Sequence, residues 1–121
     1  MNCLRFHDVE IFISCKKLKD EDFISKSDPQ VKVFELDAKG DKYRFVGETE
    51  VISNQHNPHF SRSIRSFYVT GKKQILKFEV FDEDIGEDDD LGYAKIDLHK
   101  LIDAGVKGVT KKLKNTSKGL M

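Results

Sequence analysis

Gln74-Ile75-Leu76-Lys77-Phe78-Glu79-Val80-Phe81-Asp82-Glu83-Asp84 decides the fold. Its first eight residues are rich in β-branched and aromatic side chains and read as a strong strand, which then runs straight into a block of carboxylates. The pattern recurs on both sides. Val9 to Ser14 alternates, with Val9, Ile11 and Ile13 on one face. Gln30 to Leu36 alternates again, setting Val31, Val33 and Glu35 against Lys32, Phe34 and Leu36. The Asp37–Asp41 stretch reads as a turn that returns Lys42 to Val46 as a hairpin partner, and 47–52 as a further extended piece. Asn54 to Pro58 reads as a loop. Ser63 to Val69, Tyr93 to Leu98 and Val109 to Leu113 complete the strands, with a turn or two of helix expected between Leu98 and Ala104. Short strands at this spacing predict an all-β chain, an antiparallel two-sheet β-sandwich of about eight strands.

The 121 residues suit a single domain spanning 1–121, with enough chain for a core. Formal net charge is zero, but the distribution is uneven. Residues 20–28 and 82–90 hold 11 of the 21 acidic residues and one basic residue, Lys26. The rest of the chain carries 10 acidic and 20 basic residues, which makes a basic body with an acidic end. Both acidic clusters follow strand-like segments and read as loops. Like charges gathered at one end repel by about 1 kcal/mol per pair at ~4 Å even in water. A bound hard cation relieves that repulsion, and an all-oxygen donor set points to calcium.

Spacing supports convergence. Asp22 and Asp28 are six apart, Asp82 and Asp84 two apart, and Asp90 six beyond Asp84. Residues i and i+2 of an extended chain point the same way, so Asp82 and Asp84 can share a ligand. An EF-hand is excluded, because Glu87 stands at its glycine position and Tyr93 at its closing glutamate. His56 and His59 flank Asn57-Pro58 in a polar loop, which does not amount to a zinc site. Cys3 and Cys15 form neither a metal nor a disulfide framework at their spacing and read as free thiols of a reducing compartment. The N-terminus carries neither an apolar signal core nor a glycine at position 2, and no apolar run reaches the ~18 residues of a membrane span. No nucleophile–base arrangement and no phosphate-cradling glycine loop can be drawn. A two-metal phosphoesterase would also cluster carboxylates, but only Lys26 is at hand to assist one.

Ser27-Asp28-Pro29 ahead of an alternating strand, with Asp22 six residues before, resembles the first calcium-binding loop of C2 domains. Phe81-Asp82-Glu83-Asp84 followed by Asp90-Leu91-Gly92 resembles the other. Within that family the chain looks most like the first C2 domain of copines, through Val9–Cys15, Ser25–Pro29, Gly47–Ile52 and Asn57–Ser61. The resemblance implies a sandwich of the topology whose last strand is C-terminal, starting near Lys118–Met121. It implies two calcium ions, or three, on Asp22, Asp28, Asp82, Asp84 and Asp90, with the carbonyls of Glu21 and Glu83, and with Glu87 adding to a further site. It also implies docking on anionic, phosphatidylserine-type membranes. A lysine-rich groove would fall at Lys32, Lys42 and Arg44, with Phe34 in its middle, and Gln30 stands where an aromatic residue is usual.

Phe23, Ile24 and Ile85 lie at the middles of the acidic loops, where apolar side chains suit insertion into lipid. The expected module is non-catalytic and monomeric, without a nucleic-acid partner. It is cytoplasmic at rest and moves to the inner face of the plasma membrane or other membranes when calcium rises. The alternative is a protein-interaction module of the same fold in which calcium is mainly structural.

Overall fold

The computed structural model describes residues 6–18, 28–37, 39–83 and 88–114. Among these described residues six strands run in order: β1 (Phe6–Ile11), β2 (Pro29–Leu36), β3 (Tyr43–Glu48), β4 (Ile64–Val69), β5 (Ile75–Glu83) and β6 (Asp88–Asp97). A short helix, α1 (Leu98–Ala104), and a 3₁₀ turn, Gly105–Lys107, follow. The strands form two antiparallel sheets, β1-β4 and β3-β2-β5-β6. The expected all-β sandwich is therefore present, and the expected helical turns are α1.

The β2–β3 hairpin forms as the turn chemistry predicts. Gly40, at φ +80°, donates its N–H to the Asp37 carbonyl at 3.0 Å, and Asp41 N–H donates to the Asp37 carboxylate at 3.0 Å. The inward residues of β2, Val31, Val33 and Glu35, are buried, as the alternation requires. Val31 and Val33 meet Leu76 and Val80 of β5, Ile64 of β4, Ile11 of β1, and Leu18, Phe60 and Leu98 in one core. Cys15 is a free thiol packed against that core, and burial pushes its pKa up to about 11. Cys3 lies outside the described residues.

Polar side chains, buried at Gln74 and exposed at His99 and Asp103, bind the layers together. Gln74 accepts from Val69 N–H and donates to the Phe67 carbonyl, each at 2.8 Å, which ties β4 to the start of β5. Tyr68 of β4 meets His99 of α1 at 3.0 Å, and His99 in turn pairs with Asp103 at 3.2 Å. Asp97 caps α1 by accepting from His99 N–H.

Two expectations need correction. Residues 109–113 form no strand; their segment pairs with β6 at an isolated bridge between Lys114 and Tyr93. The second acidic cluster is not wholly a loop either: β5 continues through Glu83 and β6 begins at Asp88, with Asp82 opposite Asp89. Strand hydrogen bonding there outweighs the low β-propensity of aspartate. The residues 118–121, expected to begin a last strand, lie outside those described.

Gly92 shows how tightly the 113–114 segment is laid on β6. Its φ is +127°, and a Cβ there would lie 2.9 Å from the Lys114 carbonyl oxygen and 3.1 Å from the Leu113 Cβ. Gly92→Ala is expected to destabilise the fold by about 1–3 kcal/mol in urea unfolding, from overpacking and backbone strain. A change under about 0.5 kcal/mol would refute this packing.

Candidate functional site

The pairing of β2 with β5 sets Pro29 opposite Asp82, and the pairing of β5 with β6 sets Phe81 opposite Asp90. Asp28, Asp82 and Asp90 are thereby brought to one end of the four-stranded sheet. Each is tethered through one carboxylate oxygen. Asp82 Oδ1 accepts from Asp28 N–H at 2.9 Å, Asp28 Oδ1 from Asn54 N–H at 2.6 Å, and Asp90 Oδ1 from Gly92 N–H at 2.9 Å. Glu83 N–H donates to the Asp28 carbonyl at 2.9 Å, which closes the end of the sheet. Asp82 is only 8% exposed. A carboxylate offers about four lone-pair sites, so accepting from a backbone N–H is compatible with binding a hard cation. The donor set, all oxygen and all acidic, fits calcium.

Among the described residues, no three acidic, histidine or cysteine side chains lie close enough together to hold an ion. Asp22 and Asp84 lie outside the described residues, as do Glu21, Glu87, Phe23, Ile24 and Ile85.

The connection from β3 to β4 braces this end, although its sequence reads as no more than an extended piece and a polar loop. Thr49 is fully buried; its hydroxyl accepts from Val31 N–H at 3.0 Å. Ile52 N–H donates to the Pro29 carbonyl at 3.1 Å, and Leu18 N–H to the His56 carbonyl at 3.0 Å. Glu50 grips the backbone N–H groups of Ser61 (2.7 Å) and Arg62 (3.0 Å), which lower its pKa, with the Arg62 charge a smaller cause. A carboxylate downstream of a strand and a polar turn ahead of the next one is a weak signal, and the brace is not visible without the fold.

The outward face of the four-stranded sheet is basic and aromatic, but it is not the predicted set. Lys32 is on it, with its ammonium 5.1 Å from the Phe81 ring centroid. Arg44 pairs across from Glu35 on the other side of the sheet and bonds its carboxylate at 3.1 Å. Lys42 stands exposed in the connection before β3. A register shift between Val33 and Phe34 places Phe45, not Arg44, opposite Phe34, and the two rings meet edge to face at 5.7 Å. Lys77 and Lys95, opposite one another on β5 and β6, also stand on this face and were not in the expected set. Lys77 lies 5.1 Å from the ring centroids of both Tyr43 and Tyr93, and Lys95 5.7 and 5.8 Å from the same rings. Hydrogen bonding to the Tyr43 hydroxyl holds the Lys95 pKa above its ordinary value. Their period-two placement in strong strands was the available signal.

The profile of the C2 domain family matches residues 9–113. The chain belongs to the C2 domain family. Its sequence is copine-like: it is 42% identical over 94 residues to Copine-A of Dictyostelium discoideum, covering 78% of this chain and 16% of that protein. It is 37% identical over 126 residues to Copine-E of the same organism, covering 98% of this chain and 21% of that protein. The chain thus spans about a sixth to a fifth of the length of these curated relatives. A solved structure of two C2 domains of extended synaptotagmin 2, calcium bound, superposes with a TM-score of 0.58 at 27% identity, covering 83% of this chain and 35% of that one. No helix among the described residues is long and apolar enough to cross a membrane.

The Glu50 clamp carries a pH dependence. Its folded pKa lies below its unfolded value of about 4.3. Its stabilising effect is therefore present above pH ~4.3 and is lost as pH falls through the lower folded value. The melting temperature of Glu50→Gln should lie below wild type at pH 7, and the gap should close toward pH 3. A gap that stays constant would rule out the charged clamp.

Proposed function

We propose that this C2 domain is a non-catalytic module that binds calcium and then carries its parent protein to anionic phospholipid membranes. The observation that carries the reading is the convergence of Asp28, Asp82 and Asp90 at one end of the sheet, each tethered by a backbone N–H. Asp22 and Asp84 complete the set, with the carbonyls of Glu21 and Glu83. Glu87 would contribute to a further site, for two ions or three. When bound, calcium supplies positive charge and a coordination shell open to lipid phosphate.

The residues of the chain do the rest. The acidic end repels an anionic bilayer while its carboxylates are uncompensated. Once they are neutralised, the basic body contributes within a Debye length of roughly 8 Å. Phe23, Ile24 and Ile85 would insert, each contributing roughly 1.5–3 kcal/mol if buried in the bilayer. Lys32, Lys77 and Lys95 lie on the outward sheet face, where a tilted domain meets headgroups; Lys42 and Arg44 would act only from its rim. The partner is a phosphatidylserine-type surface, and the module works as a monomer, cytoplasmic at rest and recruited to the inner face of the plasma membrane or other membranes as calcium rises.

Calcium at a hundredfold excess over its Kd should add about 2.7 kcal/mol to folding stability, and magnesium less. Asp82→Asn combined with Asp84→Asn should abolish both that shift and the calorimetric calcium signal. Vesicles containing phosphatidylserine should pellet the protein with calcium and not with chelator. Lys77→Ala and Lys95→Ala should each weaken that binding by about 1 kcal/mol if this face touches the bilayer. Equal pelleting in chelator would overturn the calcium switch and leave calcium a structural role in an interaction module.

A further inference from the structure

The three described aspartates are held by donors of different origin. Asp28 N–H, which holds Asp82, and Gly92 N–H, which holds Asp90, belong to the acidic strand ends themselves. The donor to Asp28 comes from elsewhere: Asn54, in the connection between β3 and β4, at the shortest of the three distances, 2.6 Å. Asn54 has φ +54°, the left-handed region. Asparagine and glycine tolerate that conformation, β-branched residues strain in it, and proline cannot enter it. That conformation falls at the residue whose N–H reaches Asp28.

The connection is fastened on both sides of Asn54. Two residues earlier, Ile52 N–H is bonded to Pro29, the residue next to Asp28. Two residues later, the His56 carbonyl accepts from Leu18. Farther out, Thr49 is locked to Val31, and Glu50 is clamped on Ser61 and Arg62. The N–H of Asn54 is thus delivered to Asp28 from a braced frame.

We infer that Asn54 is a positioning residue of the calcium site, acting through its backbone. Its N–H fixes the Asp28 carboxylate against repulsion from the neighbouring acidic groups, so that ordering cost is met before a cation arrives. The inference rests on the calcium reading above and adds to it a residue outside the acidic clusters.

Three substitutions separate backbone from side chain. Asn54→Gly keeps both the N–H and the left-handed backbone. Asn54→Pro removes both. Asn54→Val keeps the N–H but opposes the backbone, and it serves if the proline variant fails to fold. Calcium titration calorimetry should give Asn54→Gly a Kd within about twofold of wild type. Asn54→Pro should weaken it by about tenfold, with unchanged stoichiometry, as expected for loss of a hydrogen bond to a charged group. Asn54→Val should fall between. Amide hydrogen exchange on the metal-free protein gives an independent readout: residue 54 should be protected in wild type and Asn54→Gly, and exposed in Asn54→Val. The inference is overturned if Asn54→Gly loses affinity as Asn54→Pro does, if all three variants match wild type, or if the residue 54 amide exchanges freely. A wild type that binds no calcium, yet protects that amide, would instead overturn the calcium reading and reduce Asn54 to a loop anchor.

Discussion

The central pairing of β2 with β5 is the constraint on which the rest depends. It buries Val31, Val33, Leu76 and Val80 between the sheets, and the same register places Pro29 across from Asp82. Core packing and site assembly are therefore one event. A one-residue slip would expose the apolar face of β2 and separate Asp28 from Asp82. Apolar burial, at roughly 25 cal/mol per Å², supplies the free energy that holds mutually repelling carboxylates together without a metal. The backbone N–H tethers then set where their oxygens lie.

Much of this was legible because period-two patterning is a strong signal when one sheet face is buried. Gln30–Leu36 and Gln74–Phe81 correspond to strands and Leu98–Ala104 to a helix, while Val9–Ser14 meets a strand, Phe6–Ile11, only in its first half. The segment 109–113 misled because its residues have strand-like composition, yet its neighbour β6 offers it only one bridge. The acidic cluster 82–90 misled in the opposite sense: carboxylates suggest a loop, but pairing carries both strands into it. Of the eight residues expected to bind metal, Asp28, Asp82, Asp90 and Glu83 are among those described; they stand at one end of the four-stranded sheet, not close enough for any three to hold an ion. The brace from Thr49 to Arg62 could not be read, because it is made by long-range backbone contacts that leave no periodic trace.

The lysine face shows where a motif reading and a fold diverge. Arg44 and Lys32 look alike along the sequence, but side-chain direction depends on parity and on the irregularity between β2 and β3. Arg44 is turned toward Glu35, where it compensates a buried carboxylate. Lys77 and Lys95 instead lie over tyrosine rings, where cation–π contact, about 0.5–1 kcal/mol at exposed sites, restrains them, and Lys77 also pairs with Glu79 at 3.5 Å. A restrained lysine loses less rotamer entropy on meeting an anion than a free one does.

The irregular pairing of β3 has a consequence for how copies of the domain meet. Among the described residues β3 is an edge strand, with no neighbouring strand on its outer side and Phe45 half exposed. Flat apolar edges of that kind template strand addition, domain swapping and aggregation. Here the register shift twists the ribbon, Gly47 interrupts it, and Arg44 places a charge along it. Wherever copies crowd together, this edge discourages chain-to-chain pairing, so crowding need not lead to aggregation.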